Sequence, residues 1–187
     1  MQSSDYAREM LQTGRRGLVG ALAGGAWMAW GTISAHSFTP AVIAAFVLAA
    51  SFLLACCGYC MIQGMRRLRQ SGERLRRSFN KGFLLLSILE GAAVGGVIFA
   101  AQKLGRLDLL PAWVGIVIGL HFFALARVFR LRRYNVVGLA ITAWCVLAWT
   151  LFRGESLTVG VGLGVGVILW SATSIFLVRV IARKTSA

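Results

Sequence analysis

Apolar residues form six long runs along the chain, separated by short polar or charged segments. The runs cover approximately residues 17–36, 39–62, 82–102, 110–130, 135–152 and 157–178. A helix needs about 20 mostly apolar residues to cross the hydrocarbon core of a bilayer, and each run reaches or approaches that length. The pattern therefore predicts an all-α integral membrane protein with six transmembrane helices.

The polar segments between the runs are too short for a folded soluble domain. We therefore expect one six-helix transmembrane domain over residues 17–183, with a basic cytoplasmic loop at 63–81 and a tail at 184–187. Residues 1–16 form a cytoplasmic segment whose pattern is that of a helix at the membrane surface, with Tyr6, Met10 and Leu11 facing lipid.

The distribution of charge predicts the orientation of the spans. The chain carries a net charge of +14, which by itself is compatible with nucleic-acid binding. However, all Lys and Arg residues except Lys103, Arg106 and Arg153 fall in segments that share one side of the predicted membrane. Basic residues are retained on the cytoplasmic side, so we expect both termini in the cytoplasm of a bacterial-type inner membrane and no nucleic-acid partner.

Short links on the opposite side divide the spans into three helical hairpins. Pro40 and Pro111 lie near the start of a returning helix, where a missing backbone N–H leaves no extra unpaired group. Because one such domain is small for an independent transporter, we also expect a homodimer.

Glycines are concentrated inside three of the spans and recur at spacings of four. The pairs are Gly20 with Gly24, Gly91 with Gly95, Gly160 with Gly164, and Gly162 with Gly166. Such spacing lets helix backbones approach closely. For the sixth span a second interpretation remains open, in which the glycines form an unwound segment that lines a pathway.

Two ionisable residues lie at matching depth in the third and fourth spans. Glu90 follows Lys81 by nine residues, and His121 precedes Arg130 by nine residues. At about 1.5 Å per residue, each lies roughly 13 Å from a basic residue at the cytoplasmic surface. An unpaired carboxylate in hydrocarbon is costly, so we expect the two side chains to meet.

A Glu–His pair at the bilayer midplane has a functional and a structural interpretation. It can bind a proton or cation, because its balance of charge responds to pH and to bound ions. Alternatively, it is a neutral hydrogen bond that joins two helices. Ser87, one turn before Glu90, is a candidate for orienting the carboxylate.

Three tryptophans, Trp27, Trp144 and Trp170, are also expected at middle depth rather than at the membrane interfaces where Trp is common. With Glu90 they can form a cage that binds a lipophilic cation through cation–π attraction. Ordinary helix packing is the alternative.

The cytoplasmic loop is a candidate surface for anionic lipid. It has apolar residues on one helical stripe and arginines on the other faces, which suits a helix lying on a charged leaflet. The candidate lipid-binding residues are Arg66, Arg67, Arg69, Arg74, Arg76 and Arg77. A solvated loop that only sets the topology is the alternative.

No motif of a known enzyme class or resident cofactor is present. Cys56, Cys57, Cys60 and Cys145 are predicted to be reduced, small apolar residues, and they do not form a four-ligand zinc pattern. We therefore expect no metal, no cofactor and no catalytic residue, and a membrane-embedded enzyme is the least favoured option. The leading hypothesis is translocation or sensing of a small molecule or ion through the Glu90–His121 pair, and the alternative is an accessory or stress-related protein that binds a partner or anionic lipid.

Overall fold

A computed structural model describes residues 3–35, 39–71 and 81–182 of the chain. Within these ranges the backbone is helical, without strands. The helices are α1 (Ser3–Ser34), α2 (Pro40–Gln70), α3 (Lys81–Lys103), α4 (Leu110–Phe129), α5 (Arg133–Leu151) and α6 (Glu155–Ala182), with a short 3-10 helix at Leu107–Leu109. The all-α prediction is confirmed.

Five of the described helices, α2 to α6, are long and apolar enough to cross a membrane. Large apolar side chains on α2 and α3 are exposed, for example Leu48, Phe52, Leu85 and Phe99. Contiguous apolar surface of this kind is rare on soluble monomers and is suited to lipid. The apolar part of α1 is interrupted by glycines and does not belong to this group of five, so helix length and apolarity support five of the six predicted spans.

Local sequence signals fix several helix ends. The Thr39 side chain accepts a hydrogen bond from the Val42 backbone N–H at 3.3 Å, and Pro40 occupies the first position of α2. Gly105 (φ +63°) lies in the connection between α3 and α4, and Gly154 (φ +55°) lies in the connection between α5 and α6. Positive φ angles are accessible to glycine without a steric penalty, so both turns can reverse the chain within a few residues.

The chain divides into two compact units. The first unit contains α1 as far as Gly25, all of α2, and α6 from Leu169 onward. Its helices approach closely where glycines remove side-chain bulk: a Cβ built on Gly64 would lie 2.8 Å from the Leu11 backbone nitrogen, and one built on Gly14 would lie 2.8 Å from the Cys57 carbonyl oxygen. The beginning of α1 is therefore packed against the end of α2.

The N-terminal segment differs from the prediction. Residues 3–16 are the first part of the continuous helix α1, and Tyr6, Met10 and Leu11 are buried in the first unit rather than facing lipid. Tyr6 and Met10 pack in a cluster with Cys57, Cys60 and Val180, while Leu11 packs with Leu68. An amphipathic pattern shows that a helix has an apolar face, but it cannot show whether lipid or protein covers that face.

The Tyr6 phenol joins the beginning of α1 to the end of α6. Its hydroxyl donates a buried hydrogen bond to the Val180 carbonyl oxygen at 3.1 Å, and the Arg67 guanidinium lies over its ring, 5.2 Å from the centroid. Burial raises the pKa of Tyr6 above its ordinary value because the phenolate is poorly solvated there. The neutral phenol therefore stabilises the fold, fully below about pH 10, the ordinary tyrosine value, and this contribution disappears as the pH rises through the raised pKa.

Tyr6→Phe is expected to lower the free energy of unfolding by about 1 kcal/mol at neutral pH, the usual net value of one hydrogen bond. It should also remove the part of the alkaline destabilisation that ionisation of Tyr6 causes. Unfolding can be followed in detergent micelles between pH 7 and pH 11. Tyr59→Phe is the matched control, because Tyr59 is on α2 of the same unit and is 42% exposed; equal effects of the two substitutions would contradict the assignment.

The second unit contains α1 from Ala26, α3, α4, α5 and α6 as far as Ile168. The helices α4 and α5 are antiparallel and meet at glycines: a Cβ built on Gly138 would lie 2.7 Å from the Gly119 carbonyl oxygen. The helices α1 and α6 approach each other as closely, because a Cβ built on Gly162 would lie 2.7 Å from both the Cα and the nitrogen of Gly31. Glycine at these positions allows backbone-to-backbone contact.

Glycines at the same spacing have different environments in α6 and α3. In α6, a Cβ on Gly160 would lie 2.9 Å from the Phe152 ring, and one on Gly164 would collide with the Trp144 indole. Since α6 is an uninterrupted helix over Glu155–Ala182, its glycines fit the packing interpretation rather than the unwound one. In α3, by contrast, a Cβ on Gly91 or Gly95 would meet no described atom within 4 Å.

Candidate functional site

The structure brings Glu90 and His121 together in the second unit. The His121 Nε2 atom lies 3.4 Å from the Glu90 Oε2 atom, an ion-pair distance. The two side chains are unequally accessible, since that of His121 is 9% exposed and that of Glu90 is 29% exposed. The imidazole is therefore largely enclosed by the protein, whereas part of the carboxylate is not covered by protein.

The connection between α3 and α4 sets the register that makes this contact possible. After α3 ends at Lys103, the Arg106 backbone N–H bonds the Ala101 carbonyl oxygen at 2.9 Å, and the 3-10 helix Leu107–Leu109 leads directly into α4. Such a tight turn holds two consecutive helices antiparallel. Residues at nearly equal distances from the turn then lie side by side along the two helices. Glu90 and His121 are such a pair.

Charged groups are sparse along the helices around the pair. Between Lys81 and Lys103, Glu90 is the one ionisable residue of α3, and between Leu110 and Ala126, His121 is the one ionisable residue of α4. The neighbouring helix α5 has Arg133 at its first position and no other charged residue. Within these segments, each member of the pair therefore has the other as its nearest source of opposite charge.

Ser87 lies one turn before Glu90 on α3 and is partly buried. In the described part of the chain, no hydrogen bond joins its hydroxyl to the Glu90 carboxylate. The structure therefore does not support the predicted role of Ser87 in orienting the carboxylate.

The three tryptophans are held by packing and by backbone hydrogen bonds. In the second unit, Trp27 stacks on Trp30 with ring centroids 5.2 Å apart, and the Trp144 Nε1–H donates to the Gly160 carbonyl oxygen at 2.9 Å. In the first unit, the Trp170 Nε1–H donates to the Ala21 carbonyl oxygen at 3.0 Å, and its ring packs on Phe46. The Trp144 and Trp170 indoles thus join different helices, whereas the Trp27 stacking lies within α1. These contacts favour the packing interpretation over the cage.

The candidate lipid-binding arginines are only partly described. Arg66 and Arg69 are exposed at the end of α2, whereas Arg67 lies over the Tyr6 ring. Arg74, Arg76 and Arg77 lie outside the described residues. The end of α2 therefore presents the exposed side chains of Arg66 and Arg69, whereas Arg67 packs against the protein.

Among the described residues, no group of three or more His, Cys, Asp or Glu side chains is placed to hold a metal ion. Cys57, Cys60 and Cys145 are buried, Cys56 is partly buried, and all four are free thiols. Thr142 is a buried group that the sequence pattern did not single out: its hydroxyl faces Gly119 and has no hydrogen-bond partner among the described residues. No local signal distinguishes Thr142 from a threonine that bonds its own helix, because its environment depends on how α4 and α5 pack.

The fold and the site define an all-α chain with five described helices suited to a membrane and an ionisable pair between two of them. Comparisons with protein-family models, with curated proteins and with solved structures found no match.

Proposed function

We propose that the protein is an integral membrane protein of a bacterial-type inner membrane that binds a proton or small cation at the Glu90–His121 pair, in order to translocate or sense it. The observation that carries this proposal is the 3.4 Å contact between an enclosed imidazole and a more accessible carboxylate. Ionisable side chains within membrane-spanning helices are costly and commonly mark ion pathways or proton relays.

The charge of the pair depends on whether it holds a proton. With one shared proton, the pair is either a carboxylate facing an imidazolium or a carboxylic acid facing a neutral imidazole, and both forms have no net charge. Loss of that proton leaves a carboxylate beside a neutral imidazole, with a net charge of −1. A cation that approaches the exposed part of Glu90 favours the carboxylate and competes with the imidazolium for it. Cation binding and protonation are therefore linked at one site, which is the minimum chemistry that an ion-coupled transporter or sensor requires.

The proposed topology has six spans with both termini in the cytoplasm, α1 being the sixth span. The Tyr6–Val180 hydrogen bond supports it, because it brings the beginning of the first helix and the end of the last helix to the same end of the first unit. Arg67 lies over Tyr6 at that same end. The beginning of α1 and the end of α6 therefore lie beside the basic end of α2, as expected for a cytoplasmic surface.

A homodimer of chains arranged as three hairpins completes the proposed architecture. The open glycine face of α3 favours such an association, because Gly91 and Gly95 provide the small surface on which another membrane helix can pack. Its neighbours Leu84, Ile88 and Ile98 are exposed apolar residues and suit the same contact.

The alternative function is that of an accessory protein that binds anionic lipid or a protein partner through its cytoplasmic surface. The exposed guanidinium groups of Arg66 and Arg69 favour it. In this case the Glu90–His121 pair would only join α3 to α4, and its chemistry would not matter to the activity.

Ligand-dependent stability separates these two functions. The melting temperature of the purified protein should rise with at least one member of a panel of monovalent, divalent and lipophilic cations. Glu90→Gln should remove this rise, whereas Glu155→Gln, at the exposed start of α6, should retain it. If no cation stabilises the wild type, or if both variants respond equally, the pair is structural and the accessory function is favoured.

A further inference from the structure

An open cleft lies beside the turn between α4 and α5 in the second unit, far along α4 from the connection to α3. Its volume is about 1130 Å³. One wall is apolar and includes Leu120, Phe123 and Ala124, and the rim is basic and includes Arg127, Arg130 and Arg132. The cleft therefore combines an apolar surface with three positive charges at one end.

The three arginines have no acidic partner on the helices that form the cleft. No Asp or Glu occurs between Asp108 and Glu155, which includes all of α4 and α5. Within the part of the chain that the structure describes, none of the three forms an ion pair, and all three are exposed. Guanidinium groups bind phosphate through paired N–H donors, so this rim is suited to an anionic phosphate group.

The backbone at Arg130 adds an independent observation. Arg130 ends α4 in the left-handed conformation (φ 54°, ψ 39°), and it is the one described non-glycine residue with a positive φ. Glycine usually occupies this position at helix ends, since a Cβ makes the conformation unfavourable. The chain thus holds a guanidinium at a position where the backbone alone would favour glycine, and such strain is concentrated at functional sites.

The arrangement of the cleft along α4 matches that of a phospholipid. Phe123 and Leu120 lie about two and about three turns before Arg130, on a helix that is long and apolar enough to cross a membrane. Seven residues separate Phe123 from Arg130, which corresponds to about 10 Å along the helix. The apolar wall therefore lies at the depth of acyl chains when the arginines lie at the depth of the headgroups.

We propose that this cleft binds an anionic phospholipid, whose phosphate contacts Arg127, Arg130 and Arg132 and whose acyl chain lies along Leu120 and Phe123. The proposal depends on the membrane location and does not depend on the activity of the Glu90–His121 pair. It concerns a different surface from the arginines at the end of α2, which are in the first unit.

Native mass spectrometry of the full-length protein in detergent tests the site directly. The protein is titrated with phosphatidylglycerol or with phosphatidylcholine, and the bound lipid is quantified. We expect preferential retention of phosphatidylglycerol. Arg130→Gly should weaken that retention about fivefold, the usual contribution of one basic residue at an anionic surface. The triple substitution of Arg127, Arg130 and Arg132 removes three such contributions and should weaken it about 100-fold.

Arg130→Gly is the informative variant because it removes the guanidinium while relieving the unfavourable backbone conformation. It should therefore be at least as stable as the wild type, so lost binding cannot be attributed to misfolding. Arg66→Gln, an exposed charge of the first unit, is the matched control. Equal weakening by both variants, or equal retention of the two lipids, would overturn the proposal, as would displacement of the lipid by millimolar inorganic phosphate, which would indicate a site for free phosphate.

Discussion

Glu90→Gln is expected to reduce ion flux through the reconstituted protein to the level of protein-free liposomes, while the protein remains folded and inserted. The amide has nearly the same volume as the carboxylic acid, but it does not ionise and cannot take up or release a proton at physiological pH. It therefore preserves packing between α3 and α4 and removes the charge on which the proposed chemistry depends.

The measurement compares proteoliposomes that contain the wild type, Glu90→Gln or Glu155→Gln. A pH-sensitive dye inside the vesicles reports proton movement, and a potential set by potassium and valinomycin drives it; cation flux is measured with the ions that raise the melting temperature. Glu155→Gln should behave as the wild type, because Glu155 is exposed at the start of α6. Wild-type flux equal to that of empty vesicles would contradict translocation, and normal flux in Glu90→Gln would move the pathway away from the pair.

His121→Gln distinguishes a proton from another cation as the transported species. If the proton passes between the two side chains, removal of the imidazole should abolish proton flux, because His121 is the one group within ion-pair distance of Glu90 in the described structure. If a cation binds the carboxylate without a proton on the imidazole, cation flux should persist in this variant.

The contact between Glu90 and His121 could be predicted from sequence because it depends on few variables. Two long apolar runs joined by a short link form antiparallel helices, and a position along each run then gives a depth in the membrane. The high cost of an unpaired carboxylate in an apolar region supplies the remaining step. The all-α fold was predictable for the same reason, since apolar run length is a property of the sequence itself.

Contacts that depend on the rotation and pairing of helices were not predictable in this way. The indoles of Trp144 and Trp170 donate to backbone carbonyl groups of other segments, and sequence spacing gives no indication of these acceptors. Tyr6, Met10 and Leu11 form an apolar face that was expected to contact lipid but packs against protein. In both cases the local pattern identifies an apolar or polar group, and only the packed structure identifies its partner.

The glycines of α3 and α6 recur at the same spacing but have different environments, which the sequence does not show. This difference leads to a second strong prediction. Gly162→Ala is expected to destabilise the protein by about 2–3 kcal/mol, the upper part of the range for overpacked sites. The added Cβ would lie 2.7 Å from the Gly31 Cα and nitrogen and 2.8 Å from the Trp27 carbonyl oxygen. Because these are backbone atoms of α1, no side-chain rotation can relieve the overlap, and the two helices must move apart.

Gly95→Ala on α3 is the matched control, since its Cβ would meet no described atom within 4 Å. Alanine favours the helix over glycine by at most about 1 kcal/mol, so this variant should be as stable as the wild type or slightly more stable in unfolding experiments in mixed micelles. Equal destabilisation by the two substitutions would contradict the difference between the helix surfaces. A different outcome is that Gly95→Ala leaves the monomer stable but lowers the mass measured by light scattering. The open face of α3 would then be the dimer interface, because the added methyl group contacts no described atom of its own chain.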